Sequence, residues 1–588
     1  MSSDVRFPRF DIRQEYFVPG TGFACNPHAW PPEPAAAGRR NSAWRRRYLA
    51  RALDQIPRLL SAVDRNPFRK TYGCLDRQFW HYRTAAFPSE MYQEGVLPLA
   101  MVYAEQMPGN RWHGDRRVKE LAVAAMRFAA RSSHADGSCD DYYPFERALG
   151  AAVFSLAAAA RAYQLLGLDD AELWRWFERR GRWLIDNDES GRLANHQALA
   201  ALGLVHLGQI TGKPLYKKAA AERVERVLAW QSDEGWFEEY GGADPGYQTV
   251  TIDCLAKIRR ISGDARLDEP LRRAVDFAAL FLHPDHSFGG PYGSRGTSHF
   301  YPHGFELLAR HDSKAARLAD GFLAGLADGS VARFDDDRMF AHRLANLIEA
   351  YVDWSPARPA SPPPESEQPF RHLPQAGMLI RRAGGEHTVI SSARGGSFVH
   401  FAPGRPPASD AGLIVETSDG RLAVSHRHDR LRPADFSAGD PSPATSDGLS
   451  YCVSGPLSWA RFETATPIKQ AVFHAGMCSV GRWCRTTVRR LLQRRLISGG
   501  RECPIRLTRL FEFLPGDGVS SRLRVTDTIE LTEPGVRVGR MAFGGDHESS
   551  YVAAGSVYQP SLFTAWTDLA AHVDALNAGR RVTIVRQF

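Results

Sequence analysis

Asn195 and His196 stand side by side in LANHQALAALGLVHLG, and Tyr247 follows 52 residues later in DEGWFEEYGGADPGYQT. An amide, an imidazole and a phenol are the groups needed to remove a proton from a carbon next to a carboxylate. Donors hold the carboxylate while charge builds on it, and a base and an acid move the protons. The apolar run after Asn195-His196 has helical spacing, and Tyr247 sits in a Gly-rich loop just before a second helix, VTIDCLAKI. Both therefore belong at the same mouth of a stack of helices.

The elements that must position them repeat a theme: an Asp-rich or Gly-containing turn, a polar or aromatic stretch, then an Ala/Leu-rich amphipathic helix. It starts at His134, Asn187, Ser232, His283 and Phe334, at intervals long enough for a helical hairpin. Hairpins too small to bury an apolar face alone predict a solenoid or a closed α/α toroid, with equivalent loops gathered at one end. This pattern spans 45–354, after an N-terminal extension, 1–44. The segment 355–374, SPARPASPPPESEQPFRHLP, holds seven prolines and reads as a linker. From 375 to 588 the period becomes alternating, with hairpins around Gly384-Gly385 and Asp419-Gly420 and strand-like runs RLRVTDTIEL, GVRVGRMAF and RRVTIVRQF. The expected fold is thus multidomain α and β, an N-terminal (α/α) toroid of helical hairpins followed by a C-terminal antiparallel β-sandwich.

The 588 residues carry a formal charge of +8, which favours an anionic partner. The arginines are dispersed and no zinc finger, RNP-like motif or helix-turn-helix spacing is present, so nucleic acid is not the expected partner. A polyanionic carbohydrate fits the charge, as does a merely soluble basic protein. The eight cysteines form no CxxC pair, and a disulfide framework is not expected. No run of 18 apolar residues and no signal-peptide-like start occurs, which predicts a cytoplasmic protein without membrane partner; oligomeric state is not legible.

Asn195-His196, the GYQT around Tyr247, and His400 in GGSFVHFAPGRPPASDAGLIVE resemble the heparinase II/III-like polysaccharide lyases, a group that includes alginate lyases and couples an α/α toroid to an antiparallel β-sandwich. The resemblance covers most of the chain. It implies β-elimination at a uronic acid, whose C5 proton lies α to a carboxylate. Asn195 would neutralise that carboxylate, and His196 would assist it or act as base toward sugars with the C5 proton on the opposite face. Tyr247 would be the acid and, for syn geometry, also the base. His400 would reach into the cleft from the sandwich, and Tyr451 is the nearest candidate for a second tyrosine. Relatives often hold zinc with HxH and an aspartate; here His400 is followed by Phe401 and Ala402, the aspartate falls at Asp410, and the first ligand is missing. His426, His428 and Asp429 form an HxHD cluster that can bind metal in another way or stay solvated. No cofactor is required, and neither zinc nor calcium is predicted.

Further candidates for substrate contact are Tyr292, Arg295, His299 and His303 in GGPYGSRGTSHFYPHGFE, where a guanidinium suits carboxylate or sulfate. Upstream, Trp80 can stack on a sugar and Arg83 pair with an anionic group. Each has a plain structural alternative: Asn195 as a helix N-cap, Tyr247 as a packed turn residue, the histidines as links between repeats, Trp80 and Arg83 as part of a cap on the toroid. The run RWCRTTVRRLLQRRLISGGRECPIRLTR reads as alternating strands with a solvated basic face. Two other functions stay open: an α/α-toroid glycoside hydrolase using paired carboxylates among Asp136, Asp140, Asp141, Glu146, Asp233, Glu234, Glu238 and Glu239, and a non-catalytic carbohydrate-binding homologue.

Overall fold

The structure, a computed structural model, describes residues 38–189, 191–332, 338–360, 369–426, 437–438, 442–444, 448–460, 466–496, 501–514, 522–544 and 557–588. The first part is helical: α1 (Gly38–Leu53), α2 (Ile56–Ala62), α3 (Arg77–Trp80), α4 (Val96–Ala104), α5 (Arg116–Ser132), α6 (Leu149–Leu165), α7 (Ala171–Asp186), α8 (Ala194–Thr211), α9 (Pro214–Leu228), α10 (Pro245–Ser262), α11 (Asp268–Ala278), α12 (His303–Leu308), α13 (Ser313–Asp328) and α14 (Phe340–Asp353).

Two helix compositions sort these into two rings. In α6, LGAAVFSLAAAARAYQL, Ala and Leu occupy every face and nearly all of the helix is buried; α8 and α10 are likewise buried on most sides. A helix apolar all round must be enclosed, whereas α5 and α7 bury one stripe and turn charge to solvent. Accordingly α4 packs on α6, α6 on α8, α8 on α10, α10 on α12, α12 on α14, and α14 back on α4, so the inner ring closes. The outer helices α5, α7, α9, α11, α13 and α1 each back one inner helix. Trp44 Nε1 donates to Asp320 Oδ1 (3.2 Å) and Tyr48 Oη to Glu306 Oε1 (2.7 Å), fastening the first helix to the last hairpins. Helices α8 and α10 stop at Gly212 (φ 68°) and Gly263 (φ 74°), left-handed positions suited to glycine.

The sandwich begins with β1 (Phe370–Leu373), β2 (Met378–Ala383), β3 (Glu386–Ser391), β4 (Ser397–Phe401) and β5 (Ala408–Asp410), an antiparallel sheet in that order. The Gly384-Gly385 turn joins β2 to β3 with both residues at positive φ, as a two-residue hairpin demands. The second sheet contains β6 (Gly412–Thr417), β7 (Leu422–Val424), β8 (Ser437–Ala438), β9 (Ser442–Ala444), β10 (Gly448–Ala460), β11 (Glu502–Leu514), β12 (Arg522–Leu531), β13 (Val538–Gly544), β14 (Thr567–Asp568) and β15 (Arg581–Gln587).

The first sheet is the middle layer of three. Met378, Ile380, Val389, Val399 and Phe401 join the toroid core, while their neighbours Leu379, Ile390 and Phe398 join the core between the sheets. Between the sheets Arg509, fully buried, pairs with Asp527 (2.5 Å) and Asp410 (3.1 Å), and Arg586 reaches both carboxylates at 2.7 Å.

Two expectations fail. The stretch read as linker up to 374 already contains a strand, β1, paired antiparallel with β2. The Arg-rich run is not a set of strands up to residue 496: between β10 and β11 the chain leaves the sheet as α15 (Pro467–Gly476), a π-turn (Met477–Gly481) and α16 (Arg485–Leu496). Thr466 caps α15 by accepting from Lys469 N (3.3 Å), Pro467 takes the first helical position, and the Arg/Leu/Gln stretch that follows favours helix. This arm crosses to the toroid, where Phe473 meets the edge of Tyr143 (centroids 5.3 Å apart), His474 packs by Phe87 (6.1 Å), and Arg485 Nη2 donates to Asn187 Oδ1 (3.2 Å). No helix among the described residues is long and apolar enough to cross a membrane.

Candidate active site

Successive loops between outer and inner helices are sewn together at one end of the ring. Leu193 forms a β-bridge with Glu239, Ala194 N donates to Glu238 O (3.2 Å), and Tyr240 N to Arg192 O (3.2 Å). The next loop continues the seam: Ser294 N donates to Ala243 O (2.8 Å) and Ser294 Oγ to Glu239 O (2.8 Å). Inner helices α6, α8, α10 and α14 start at this end, so the partial positive charge of their N-termini faces the mouth.

Asn195 and His196 occupy the first turn of α8. The helix is capped at Leu193 without a side-chain bond, so Asn195 is not the N-cap. Asn195 is fully buried; its Nδ2 donates to Glu239 Oε2 (2.6 Å), and its Oδ1 has no protein partner among the described residues. His196, about a fifth exposed, places Nδ1 3.1 Å from Glu189 Oε2 and its ring edge-on to Phe154 (5.9 Å). A side chain at Gly150 would come within 2.9 Å of His196 Cε1, so that glycine makes room for the ring.

Tyr247 lies inside the first turn of α10 rather than in the loop before it. Asp244 caps this helix, Oδ1 accepting from Tyr247 N (3.0 Å), while its Oδ2 accepts from Arg295 N (2.9 Å) and Thr297 Oγ1 also bonds the carboxylate. One buried carboxylate thus fixes Tyr247 against the loop carrying Arg295 and His299. Burial raises the Tyr247 phenol well above its ordinary pKa, and the Arg295 guanidinium is the main force in the other direction. Arg295 itself lies over Tyr240, 3.7 Å from the ring centroid.

From Tyr247 a row of rings runs round the inside of the ring. His299 meets Tyr247 edge-on (5.2 Å) and then Tyr301 (5.6 Å); Tyr301 meets His342 (5.2 Å); His342 meets Phe154 (5.1 Å), which returns to His196. His299 is almost fully buried, with Nε2 unpartnered among the described residues, and burial beside Arg343 and His342 holds it neutral, its pKa well below the usual range. His342 Nδ1 is 2.9 Å from Glu94 Oε1. Sequence reasoning passed over His342, Tyr301, Glu189 and the arm residue Arg489, which pairs with Glu189, and considered Glu239 only as a hydrolase carboxylate, not as the partner of Asn195. His342 and Tyr301 lie in helix-entry segments of the repeat theme, the one signal that marks them.

The other candidates are placed elsewhere. His400 does not reach the mouth: Val399 and Phe401 take the toroid face of β4, leaving His400 on the face toward the second sheet, with Nδ1 2.8 Å from Thr388 Oγ1. The residue nearer the mouth from the sandwich is Arg394, whose charge feels Asp244 and Arg295 and whose pKa burial lowers to about 10. Tyr451 is buried in the sandwich core beside His372 (6.0 Å). Tyr292 is fully buried, its Oη 3.0 Å from His283 Nε2. His303 is fully buried between Asp253 (Nδ1, 3.2 Å) and Asp353 (Nε2, 2.8 Å), in a network with Lys257 and Glu349. Trp80 donates to Ala62 O (2.8 Å), and Arg83 is exposed with φ 58°; neither meets the mouth residues among the described residues. Asp410, the aspartate considered for metal, is taken by Arg509 and Arg586. His426 is buried, while His428 and Asp429 lie outside the described residues. Among the described residues no cluster of three or more His, Cys, Asp or Glu is arranged to hold a metal ion.

No protein-family model and no curated protein matches the chain. Among solved structures, it is similar to a chondroitin AC lyase from Streptomyces coelicolor in complex with chondroitin sulphate: 11% identity, TM-score 0.44, over 88% of this chain and 93% of that one. A heparan sulfate lyase mutant from Pedobacter heparinus gives 12% identity and a TM-score of 0.41, over 78% and 64%. An unsaturated glucuronyl hydrolase from Streptococcus agalactiae gives 11% and 0.37, over 53% and 93%. At these identities and scores the likeness assigns no residue a role.

Proposed function

We propose that this protein is a polysaccharide lyase that cleaves a uronic-acid-containing chain by β-elimination. The observation that carries the reading is the meeting, at one mouth of inner-helix N-termini, of Asn195 and His196 in the first turn of α8 with Tyr247 in the first turn of α10 and His299 against its ring. On this reading substrate entry uncovers the buried Asn195, whose second amide proton, together with the helix N-termini, serves the substrate carboxylate in a bond that strengthens as charge develops on it.

Tyr247 as phenolate takes the C5 proton. The C5–H pair becomes the C4–C5 double bond, the C4–O bond breaks, and the departing oxygen receives a proton from the Tyr247 phenol. No water is consumed, and the tyrosine ends as it began. Arg295 offsets part of the burial that opposes phenolate formation. For a sugar whose C5 proton lies on the other face, His196 is the base and Tyr247 the acid. The substrate is an anionic poly- or oligosaccharide, and the chemistry needs no cofactor.

A second reading has one observation in its favour. Burial, with Asp141 beside it, pushes the Glu146 carboxyl up to about 7, so it can donate a proton at neutral pH, and Asp141 is paired with Arg338. That pair is what a hydrolase needs. Incubation with a panel of uronate-containing polymers separates the two: elimination leaves an ultraviolet-absorbing double bond at the new non-reducing end, while hydrolysis leaves a saturated non-reducing end heavier by one water and no such absorbance.

A further inference from the structure

We propose that Glu189 is a positioning residue for His196, and that Arg489, delivered by the arm from the sandwich, holds Glu189 in place. The role of His196 in this inference rests on the elimination reading above.

Glu189 lies in the loop between α7 and α8, its side chain wholly buried. One oxygen is 3.1 Å from His196 Nδ1 and the other pairs with Arg489. A carboxylate buried this deeply is costly without a counter-charge. The arm supplies one from 300 residues further along the chain. The Arg489 guanidinium also feels Glu146, Tyr143 and Tyr240, so it sits over the loops that form the mouth rather than at the edge of the molecule.

The ring of His196 is then held on three sides: by Glu189 at Nδ1, by the edge of Phe154, and by the bare backbone at Gly150. A carboxylate at Nδ1 favours the tautomer with the proton there, which leaves the Nε2 lone pair for a substrate proton. The geometry couples two events, the seating of the arm and the orienting of the imidazole. The arm therefore completes the site, and a chain without it would keep His196 but not its fixed orientation.

The test uses the full chain. E189M/R489M replaces the pair by unbranched apolar side chains, leaving no stranded charge, and E189Q keeps volume and one acceptor. The expected result for the double variant is a kcat lower by about 10- to 100-fold with KM changed little, and for E189Q a smaller fall. The second readout is independent of turnover: protein labelled with 15N-histidine, with His196 assigned by its loss in H196Q, should show a single Nδ1–H tautomer in the parent and a mixture in E189M/R489M. A double variant that folds with parental kcat, or that keeps the single tautomer, overturns the inference. If the parent eliminates no uronate polymer, the elimination reading fails, and the tautomer comparison still decides what Glu189 does. If E189M/R489M does not fold, E189Q decides by kcat, since its amide oxygen still accepts at Nδ1: a parental kcat in E189Q overturns the inference.

Discussion

Asn195 Nδ2 lies 2.6 Å from Glu239 Oε2, tying the first turn of α8 to the loop that leads into α10. The bond asks for an amide. In N195D two carboxylates face each other in a fully buried position, with an expected loss of about 3–5 kcal/mol at neutral pH. N195D/E239Q should recover most of that stability in urea denaturation and none of the activity, because the substrate carboxylate then meets an acidic side chain at this position instead of an amide donor.

Gly150 sets the position of His196 by having no side chain. In G150A the new Cβ would stand 2.9 Å from His196 Cε1, so the ring must shift. Expected is a kcat lower by about tenfold or more, from misplacement of a working group, with a thermal midpoint close to the parent's. A displaced ring with unchanged kcat would remove His196 from the chemistry.

How much of this was legible in the sequence depends on the range of the interaction. The toroid was readable because each hairpin carries its own turn and its own Ala/Leu face, and the place of Asn195 because an apolar helical run follows it; Tyr247 was read in the loop because Pro245-Gly246 suggests a turn, although that proline takes the first helical position of α10. His342 was not, since one histidine in FAHRLANL has the pattern of an ordinary amphipathic helix. Glu189 and Arg489 are joined only by tertiary contact. His400 fell on the wrong face because strand parity is decided by which side of the sheet meets the toroid, and SFVHF is apolar on both. The arm was misread because T-T-V suggests strand while its Thr-Pro start and Arg/Leu continuation make helix.

His303 should prove structural. Asp253, Asp353 and Glu349 raise its pKa over the opposition of burial and Lys257. A histidine raised on folding contributes stability that is fully present below its unfolded value, about 6.5, and is lost as pH rises through the folded value. H303Q is therefore expected to lower unfolding free energy by about 3–5 kcal/mol at pH below 6.5, with the gap from the parent narrowing at higher pH. The kcat of the folded variant should stay near parental, and a pH-independent gap would contradict the assignment.

The arm from 467 to 496 carries seven Lys and Arg and no acidic residue. Lys469 and Arg482 are exposed on it, Arg482 stacked on Trp483 at 4.1 Å. Such a surface concentrates a polyanion at low salt. K469Q/R482Q should raise KM a few-fold at low ionic strength without changing kcat, and the difference should vanish when salt is raised to about 0.5 M. A KM unaffected at low salt would free the arm of this role.

The central claim is that Tyr247 moves the protons of an elimination. Because burial holds its phenol well above the ordinary pKa, the phenolate needed as base is scarce at neutrality, and kcat/KM should climb as pH rises from neutral toward the alkaline side. The most direct measurement follows unsaturated product by ultraviolet absorbance for the parent and Y247F on the same uronate polymer. The account predicts absorbing product from the parent, rising with pH, and a rate lower by about 10²- to 10⁴-fold in Y247F with the fold intact. Comparable elimination by Y247F, or cleavage by the parent that adds water and leaves no double bond, would contradict it.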